Sequence, residues 1–322
     1  MKAIVYDDYG PPDMLRSEDV PRPTPGDGEV LVKVHTTSIN DYDWHLLAGT
    51  PFINRIGALR KPKYHVLGSD VAGTVTSVGA RVTRFAPGDE VYGDMSSSGF
   101  GAFAEYVTAP ADTFARKPES LTFEQAAAVP QAGGLAVMAI RSAKPLDAES
   151  RVLVNGAGGG VGTFAVQIAK SFGAEVTGVD LGRKLDGIRS VGADHVVDYT
   201  ERDFADSGET YDLIVDTASH RSMRAYRRSL RPGGKAALIG GSIPRLLLVM
   251  AGGQLVSSYH DRKVSVPMWK TNNDADVTFL TRLLEDGSVV PLVDSVYPLS
   301  DLADAFRYYG GQHHTGKIVI TV

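Results

Sequence analysis

The first third of the chain reads as a series of short strands. In Glu29-Val30-Leu31-Val32-Lys33-Val34-His35 the valines at 30, 32 and 34 share one face, the two-residue period of a half-buried strand. Val71-Ala72-Gly73-Thr74-Val75 and Glu90-Val91-Tyr92 repeat that pattern, with Pro87-Gly88-Asp89 as punctuation. The proline-rich stretch from Pro21 to Pro25 is a turn or edge connection inside this β-rich region, not a linker between domains.

Near Thr122 the rhythm changes. Thr122 with Gln125 three residues on is a capping box, and a helical stretch opens with Ala126 to Val129. Strand and helix then alternate. Arg151-Val152-Leu153-Val154 is a nearly continuous apolar run, as a parallel strand covered on both faces requires. Phe164, Ala165, Ile168, Ala169 and Phe172 form one stripe of the helix that follows. Further strands are predicted at Glu175 to Asp180, His195 to Tyr199, Tyr211 to Asp216 and Lys235 to Ile239, with helices around Leu185, Phe204 and Tyr226. Alternation at this spacing predicts an α/β fold with a doubly wound parallel sheet. A helix at Asp276 to Glu285 and a closing strand at Lys317-Ile318-Val319-Ile320 complete the chain, and that last strand suits the first, β-rich domain. The predicted layout is therefore a β-rich domain over 1–120 and 268–322, interrupted by a Rossmann domain over 121–267.

A chain of 322 residues is long enough for two cores, and 43% hydrophobic against 22% charged residues is the balance of packed globular domains. The net charge of −5 leaves no basic footprint, so nucleic acid is not an expected partner. No apolar run approaches the ~18 residues of a membrane span. The N-terminus, Met1-Lys2-Ala3-Ile4-Val5-Tyr6 followed by Asp7 and Asp8, reads as a strand rather than a signal peptide, so a cytoplasmic location is expected. The absence of cysteine is more decisive: disulfides, Cys-ligated zinc and thiolate catalysis are excluded by inventory.

The strongest chemical signal is Asn155-Gly156-Ala157-Gly158-Gly159-Gly160-Val161-Gly162, set between a predicted strand and a predicted helix. Glycines let the backbone approach a pyrophosphate, and the helix N-terminus presents free N–H groups and a positive dipole end. The pattern is Ala157-x-Gly159-x-x-Gly162, with Ala in the first glycine position, and it points to a dinucleotide. Asp180 ends the second strand 18 residues after Gly162, close to the spacing at which an acid would bond the ribose hydroxyls of NAD. Arg183 and Lys184 follow at once and offer cations to a 2′-phosphate, or form a solvated helix start. NADPH is the favoured cofactor, with NADH possible and neither zinc nor flavin expected.

With Leu67-Gly68-Ser69-Asp70-Val71-Ala72-Gly73, Phe85-Ala86-Pro87-Gly88-Asp89-Glu90-Val91, Gly101-Ala102-Phe103-Ala104-Glu105-Tyr106, Gly192-Ala193-Asp194-His195-Val196-Val197-Asp198-Tyr199 and Gly316-Lys317-Ile318-Val319, that turn resembles the zeta-crystallin-like quinone oxidoreductase branch of the medium-chain dehydrogenases/reductases over essentially the whole chain. The resemblance implies a GroES-like catalytic domain with a Rossmann domain inserted, an active site in the cleft between them, and a homodimer through the last Rossmann strand near Val264 to Met268. Gly68-Ser69-Asp70 stands where zinc-dependent relatives resemble Gly-His-Glu, and His45, His65, His313 and His314 lack ligand spacing, so no metal is expected. Without a Lewis acid, hydride delivery to a quinone or conjugated enone is the expected reaction.

Ser38-Ile39-Asn40-Asp41-Tyr42-Asp43-Trp44-His45 resembles the family's cleft segment. By that resemblance Asn40 positions the nicotinamide or the substrate carbonyl, Asp43, Trp44 and His45 support the loop, and Tyr42 or His45 is the candidate proton donor. Asp43 and Trp44 read equally well as structural. Three departures stand out: Asp41 replaces the family's usual Pro, Gly49-Thr50-Pro51-Phe52 lacks the acid tyrosine of related enoyl reductases, and Leu135-Ala136 stands where some relatives carry a threonine near the nicotinamide. Arg183 and Tyr199 match positions that hold the adenosine phosphate end. Ile239-Gly240-Gly241 lies at the sheet edge, where the ribose and nicotinamide pass, and Lys317 either faces the cofactor or is solvated. The segment from Ile243 to Tyr259, with Arg245 and the apolar Leu246 to Met250, reads as a loop overhanging the cleft or as an interface element. A pathway-specific tailoring reductase, and a nucleotide-binding sensor or structural protein without turnover, are the alternative functions.

Overall fold

The computed structural model describes all residues except 57, 242 and 258–260; the side chains at 243, 245 and 253–257 also lie outside the description. The chain divides into two compact units, Met1–Gln131 with Thr271–Thr281 and Val293–Val322, and Ala132–Lys270 with Arg282–Leu292.

The first unit is built on a seven-stranded sheet. Its order runs Val293–Pro298, Lys317–Thr321, Glu29–Ser38, Asp70–Val78, Glu90–Asp94, Phe114–Arg116, and Tyr106–Pro110 also pairs with Glu29–Ser38. The long central strand runs three residues beyond the predicted alternation, to Ser38, because Thr36, Thr37 and Ser38 pair with Ala72, Val71 and Asp70. Val30, Val32 and Val34 lie on its buried face with Val71, Val75 and Val91, the core the alternation implied. Lys317–Thr321 returns to pair antiparallel with that central strand, Val319 opposite Ser38. Burying these aliphatic side chains contributes about 1.5–3 kcal/mol each, and it fixes register, since a one-residue slip would turn the valines to solvent.

The second unit carries six parallel strands in the order His195–Asp198, Glu175–Asp180, Arg151–Asn155, Tyr211–Asp216, Leu230–Leu238, Lys263–Ser265. This is the strand order of a dinucleotide-binding sheet, with ligands expected at the carboxyl ends beside the first strand. Val152, Leu153 and Val154 are fully buried, as a strand covered on both faces demands. The capping box forms in both directions: Thr122 Oγ1 accepts from Gln125 N at 3.2 Å, and Gln125 Oε1 accepts from Thr122 N at 3.1 Å.

One expectation is overturned. Ile243–Ser257 is an α-helix, not a loop. Pro244 fits a first helical turn, where no N–H is needed, and the Leu246-to-Met250 run consists mostly of good helix formers. Tyr259 and the Arg245 side chain lie outside the described residues. The strand read at Lys235 to Ile239 instead starts at Leu230 and stops at Leu238.

Candidate nucleotide turn and polar cluster

In the second unit the glycine-rich turn leads straight into the helix Gly160–Ser171, with Gly159 as its N-cap. A Cβ on Gly162 would lie 2.1 Å from the Gly156 carbonyl oxygen and 2.6 Å from Ala157 Cα, so the helix can approach the turn only through a glycine. The Ala157 methyl is accommodated by Gly178 on the neighbouring strand, whose own Cβ would stand 3.1 Å from it. This explains how Ala replaces the first glycine of the pattern. Gly158, Gly159, Gly160, Val161 and Gly162 thus surround a helix start whose first N–H groups have no partner within the helix. The cradle fits a pyrophosphate, with Gly159, Gly160 and Val161 partly exposed to receive it.

Asp180 and Lys184 are arranged differently from a ribose-facing acid with a solvated cation. Asp180 is 7% exposed; its Oδ2 accepts from Gly158 N and its Oδ1 from Leu181 N, both at 2.8 Å. Lys184 is buried, with Nζ 4.0 Å from Asp180 Oδ1. The carboxylate therefore braces the turn, and the lysine offsets its charge. Arg183 is exposed on the same short 3₁₀ turn, and Tyr199, whose N–H bonds the Asp180 carbonyl, is exposed beside it.

At the carboxyl edge of the sheet, Ile239 N donates to the Asp216 carbonyl and Ser219 Oγ to the Gly240 carbonyl. A Cβ on Gly240 would lie 2.3 Å from the Thr217 carbonyl oxygen, and Gly241 bridges Ser219. Asp216 is fully buried and accepts from Asn155 Nδ2, Ala218 N and Tyr226 Oη. Burial raises its pKa despite these donors. Its place at the end of the strand Tyr211–Asp216 gave no sequence signal.

The first unit gathers Asn40, Asp43 and Lys317, and adds Ser38, Ser69, Asp70 and Asp94. The helix Asp41–Ala48 starts directly after Asn40, and Asp43 reaches back to accept from Asn40 N at 3.0 Å. Asp43 also accepts from Ser69 Oγ at 2.8 Å and from Gly68 N at 3.2 Å. Burial nevertheless outweighs these donors and pushes its carboxyl up to about 7. Asp70 is fully buried: Oδ2 accepts from Ser38 Oγ at 2.7 Å, Asn40 Nδ2 at 2.7 Å and Lys317 Nζ at 3.2 Å, and Oδ1 from Gln131 N at 2.9 Å. Asn40 gives its other amide hydrogen to Ser69 Oγ at 2.9 Å and receives Lys317 Nζ on Oδ1 at 2.5 Å.

Lys317 is neither solvated nor free to swing; its side chain is 3% exposed and also donates to the Ile39 carbonyl. Asp94 lies directly across the ladder from Asp70. Its Oδ1 accepts from Ser96 N, its Oδ2 is buried with no partner, and burial with the nearby Asp70 charge raises it to about 7. Nothing in the sequence signalled Asp94, because strand register decides which acids meet.

Tyr42 and His45 point elsewhere on the helix. Tyr42 is 42% exposed, its ring edge on Phe100, and burial of the rest raises its pKa. His45 Nε2 pairs with Asp41 Oδ2 at 3.1 Å, which raises its pKa. Trp44 stacks near Phe306 and Tyr309, a packing role. Ala136 is fully buried in the helix Pro130–Arg141.

The chain has two family matches: residues 26–119 match the alcohol dehydrogenase GroES-like domain, and residues 191–320 match a family described as zinc-binding dehydrogenase. The second description raises zinc, and the residues do not fit it. The chain has no cysteine, and among the described residues no three His, Asp or Glu side chains are grouped as ligands. The oxygens of Asn40, Asp70 and Ile39 converge instead on an ammonium. The chain is 33% identical to the chloroplastic quinone-oxidoreductase QR1 of Triphysaria versicolor, covering 99% of this chain and 98% of that protein. It is 32% identical to the chloroplastic NADPH-dependent alkenal/one oxidoreductase of Arabidopsis thaliana, covering 99% and 79%. Among solved structures, the quinone oxidoreductase of Coxiella burnetii superposes with a TM-score of 0.88 at 28% identity, covering 100% and 99%. With its GroES-like sheet and its inserted Rossmann sheet, the chain belongs to the medium-chain dehydrogenase/reductase family, in the quinone oxidoreductase branch, and is an oxidoreductase.

Proposed function

We propose that the chain is an NADPH-dependent, zinc-independent reductase that passes hydride to quinones or α,β-unsaturated carbonyls. The observation that carries the cofactor choice is the state of Asp180. Each of its oxygens accepts a backbone N–H and Lys184 offsets its charge, so it repels a 2′-phosphate less than a solvated carboxylate would. Arg183 and Tyr199 stand exposed beside it to receive that phosphate. The name of the Arabidopsis relative supports the same reading. Gly158 to Gly162 hold the pyrophosphate, and Ile239, Gly240 and Gly241 line the passage of the ribose.

When bound, the reduced nicotinamide supplies the hydride. The chain supplies orientation and a polar environment. Tyr42 and His45 are the proton donors within reach of solvent on the Asp41–Ala48 helix, and a reduced quinone can also take its protons from water. The enzyme works in the cytoplasm as a homodimer joined along the sheet-edge strand Lys263–Ser265.

Fluorescence titration with NADPH and NADH, followed by addition of 1,4-benzoquinone, 9,10-phenanthrenequinone and a panel of enones, tests the proposal. Tighter NADPH binding with consumption supports it; no consumption with any acceptor rejects it. A binding protein without turnover is the second reading. It is favoured by Asn40, whose amide hydrogens are both spent internally and cannot polarise a substrate carbonyl.

A further inference from the structure

Between Asp43 and Asp70 the chain carries no acidic residue, while Arg55, Arg60, Lys61 and Lys63 all fall within that stretch. In a chain of net charge −5 this is a local excess of positive charge. The same segment, which belongs to the first unit, also exposes large apolar side chains. Phe52 and Ile56 are 68% and 70% exposed, and Ile53 and Leu59 are exposed with them. Single exposed apolar residues are ordinary on a protein surface, but a run of them beside unopposed cations marks an interaction site. The segment is tied to the rest of its unit. Phe52–Arg55 is a 3₁₀ turn, Asn54 Nδ2 donates to the Thr50 carbonyl at 3.0 Å, and Arg55 Nε donates to the Gly49 carbonyl at 2.8 Å. Tyr9 Oη donates to the Ala58 carbonyl at 2.8 Å, and its ring carries the Arg55 guanidinium 4.6 Å from the centroid. The exposed apolar side chains therefore stand on a fixed turn.

We propose that this segment docks the protein on an anionic lipid bilayer, with Phe52, Ile53, Ile56 and Leu59 entering the headgroup region and Arg60, Lys61 and Lys63 binding lipid phosphates. Apolar anchors flanked by cations are the composition of an interfacial element, in which apolar burial and attraction to anionic lipid act together. A four-residue 3₁₀ turn is far too short to cross the hydrocarbon core, so the segment lies on the membrane rather than through it. The cations are exposed and available. Asp7, close enough to Lys61 to feel its charge, is already engaged by Arg16 at 2.6 Å and by His65 at 3.2 Å. Among the described residues no carboxylate pairs with Arg60, Lys61 or Lys63. A bilayer supplies both halves of the complement at once, a fluid apolar layer and mobile phosphates, so the patch needs no groove. The inference goes beyond the reductase reading and does not depend on it, since docking requires neither cofactor nor acceptor.

The test is co-sedimentation of the full chain with sucrose-loaded phosphatidylcholine vesicles, with and without phosphatidylglycerol, in the absence of NADPH and quinone. The expected result is binding to the anionic vesicles alone, weakened at least about tenfold as NaCl rises from about 0.05 M to about 0.5 M. Phe52→Ser/Ile56→Ser and Lys61→Glu/Lys63→Glu are each expected to weaken that binding at least about tenfold, with melting temperatures near that of the wild type because all four side chains are exposed. No binding to either vesicle, or equal binding to both, would overturn the proposal. Binding as tight as the wild type's by either folded variant would overturn it too. Self-association of the wild type that is lost in Phe52→Ser/Ile56→Ser, without vesicle binding, would assign the patch to a second copy of the chain and reject the membrane. If the serine variant does not fold, the charge variant and the salt series decide between the same outcomes. NADPH consumption by the same preparation is measured separately, so failure of docking and failure of the reductase reading are distinct results.

Discussion

His45 Nε2 sits 3.1 Å from Asp41 Oδ2, one helical turn earlier, and Asp41 Oδ1 in turn receives the Tyr309 hydroxyl at 3.4 Å. Asp41 is the residue that departs from the family's usual proline, and the structure gives it work: it favours the helix N-terminus and ties two helices of the first unit. The pair raises the pKa of His45 above its ordinary value. A raised folded-state pKa means stability that is complete below the unfolded value, about 6.5, and lost as pH rises through the folded value. Asp41→Asn is expected to lower the melting temperature more at pH 5.5 than at pH 8.5, and to return the His45 NMR titration toward the ordinary range. Equal destabilisation at both pH values would show that the ion pair contributes nothing. The effect is small, because both side chains are partly exposed.

Asp94 makes a prediction of the same sign for a different reason. Its carboxyl is pushed up to about 7 by burial and by Asp70, and Asp43 by burial to the same region. In the unfolded chain both ionise near pH 4. The folded state therefore binds more protons between about pH 4 and 7, and stability falls as pH rises through that window. Asp94→Asn removes one ionisation from the cluster formed with Asp70, Asp43, Lys317 and Tyr42. Melting temperature against pH is expected to decline less steeply in the variant between pH 5 and 8. An unchanged slope would mean that Asp94 is ionised throughout.

Cofactor choice is tested at Arg183. Replacing an exposed guanidinium that pairs with a phosphate loses a charge-assisted contact worth about 1.5–3 kcal/mol, or roughly ten- to a hundredfold. Arg183→Ala is expected to raise KM for NADPH by about that factor, with KM for NADH within about twofold. Equal losses for both cofactors would point to a structural role for the arginine, and no loss would remove it from the site.

Much of this architecture was legible from local pattern. The valine alternation at 30, 32 and 34, the buried run at 152–154 and the Thr122–Gln125 box each depend on neighbours in sequence, and each formed as read. The polar cluster was legible only in part. Asn40 and Asp43 were reached only through the resemblance of their segment, which read as a loop and is the start of the helix Asp41–Ala48, and Asp70, Asp94 and Lys317 meet them through strand pairing across most of the chain, which no window of sequence contains. The burial of Lys184 was hidden for a related reason: a lysine at a helix start reads as solvated unless the acid one turn back is known to face inward. The segment after Gly241 misled because glycines and a proline resemble loop punctuation, whereas Pro244 at a first turn and five consecutive apolar residues also begin a helix.

The closest backbone constraint in the nucleotide turn is at Gly162, and it gives the sharpest stability test. A methyl there would lie 2.1 Å from the Gly156 carbonyl oxygen and 2.6 Å from Ala157 Cα, both backbone atoms that cannot rotate away. The helix must then lift off the turn, at a cost of about 1–3 kcal/mol or more, and its first N–H groups move away from the phosphate position. Gly162→Ala is expected to lower the melting temperature and to weaken NADPH and NADH alike by at least about tenfold, in contrast to the selective loss at Arg183. Gly208→Ala is the matched control, since a Cβ there meets nothing within 4 Å; its positive φ of 80° costs some stability but touches no part of the turn. Dissociation constants from quenching of nicotinamide fluorescence, measured on both variants at a temperature where both are folded, separate the two effects. If Gly162→Ala binds both nucleotides as the wild type does, the cofactor is not seated on this helix.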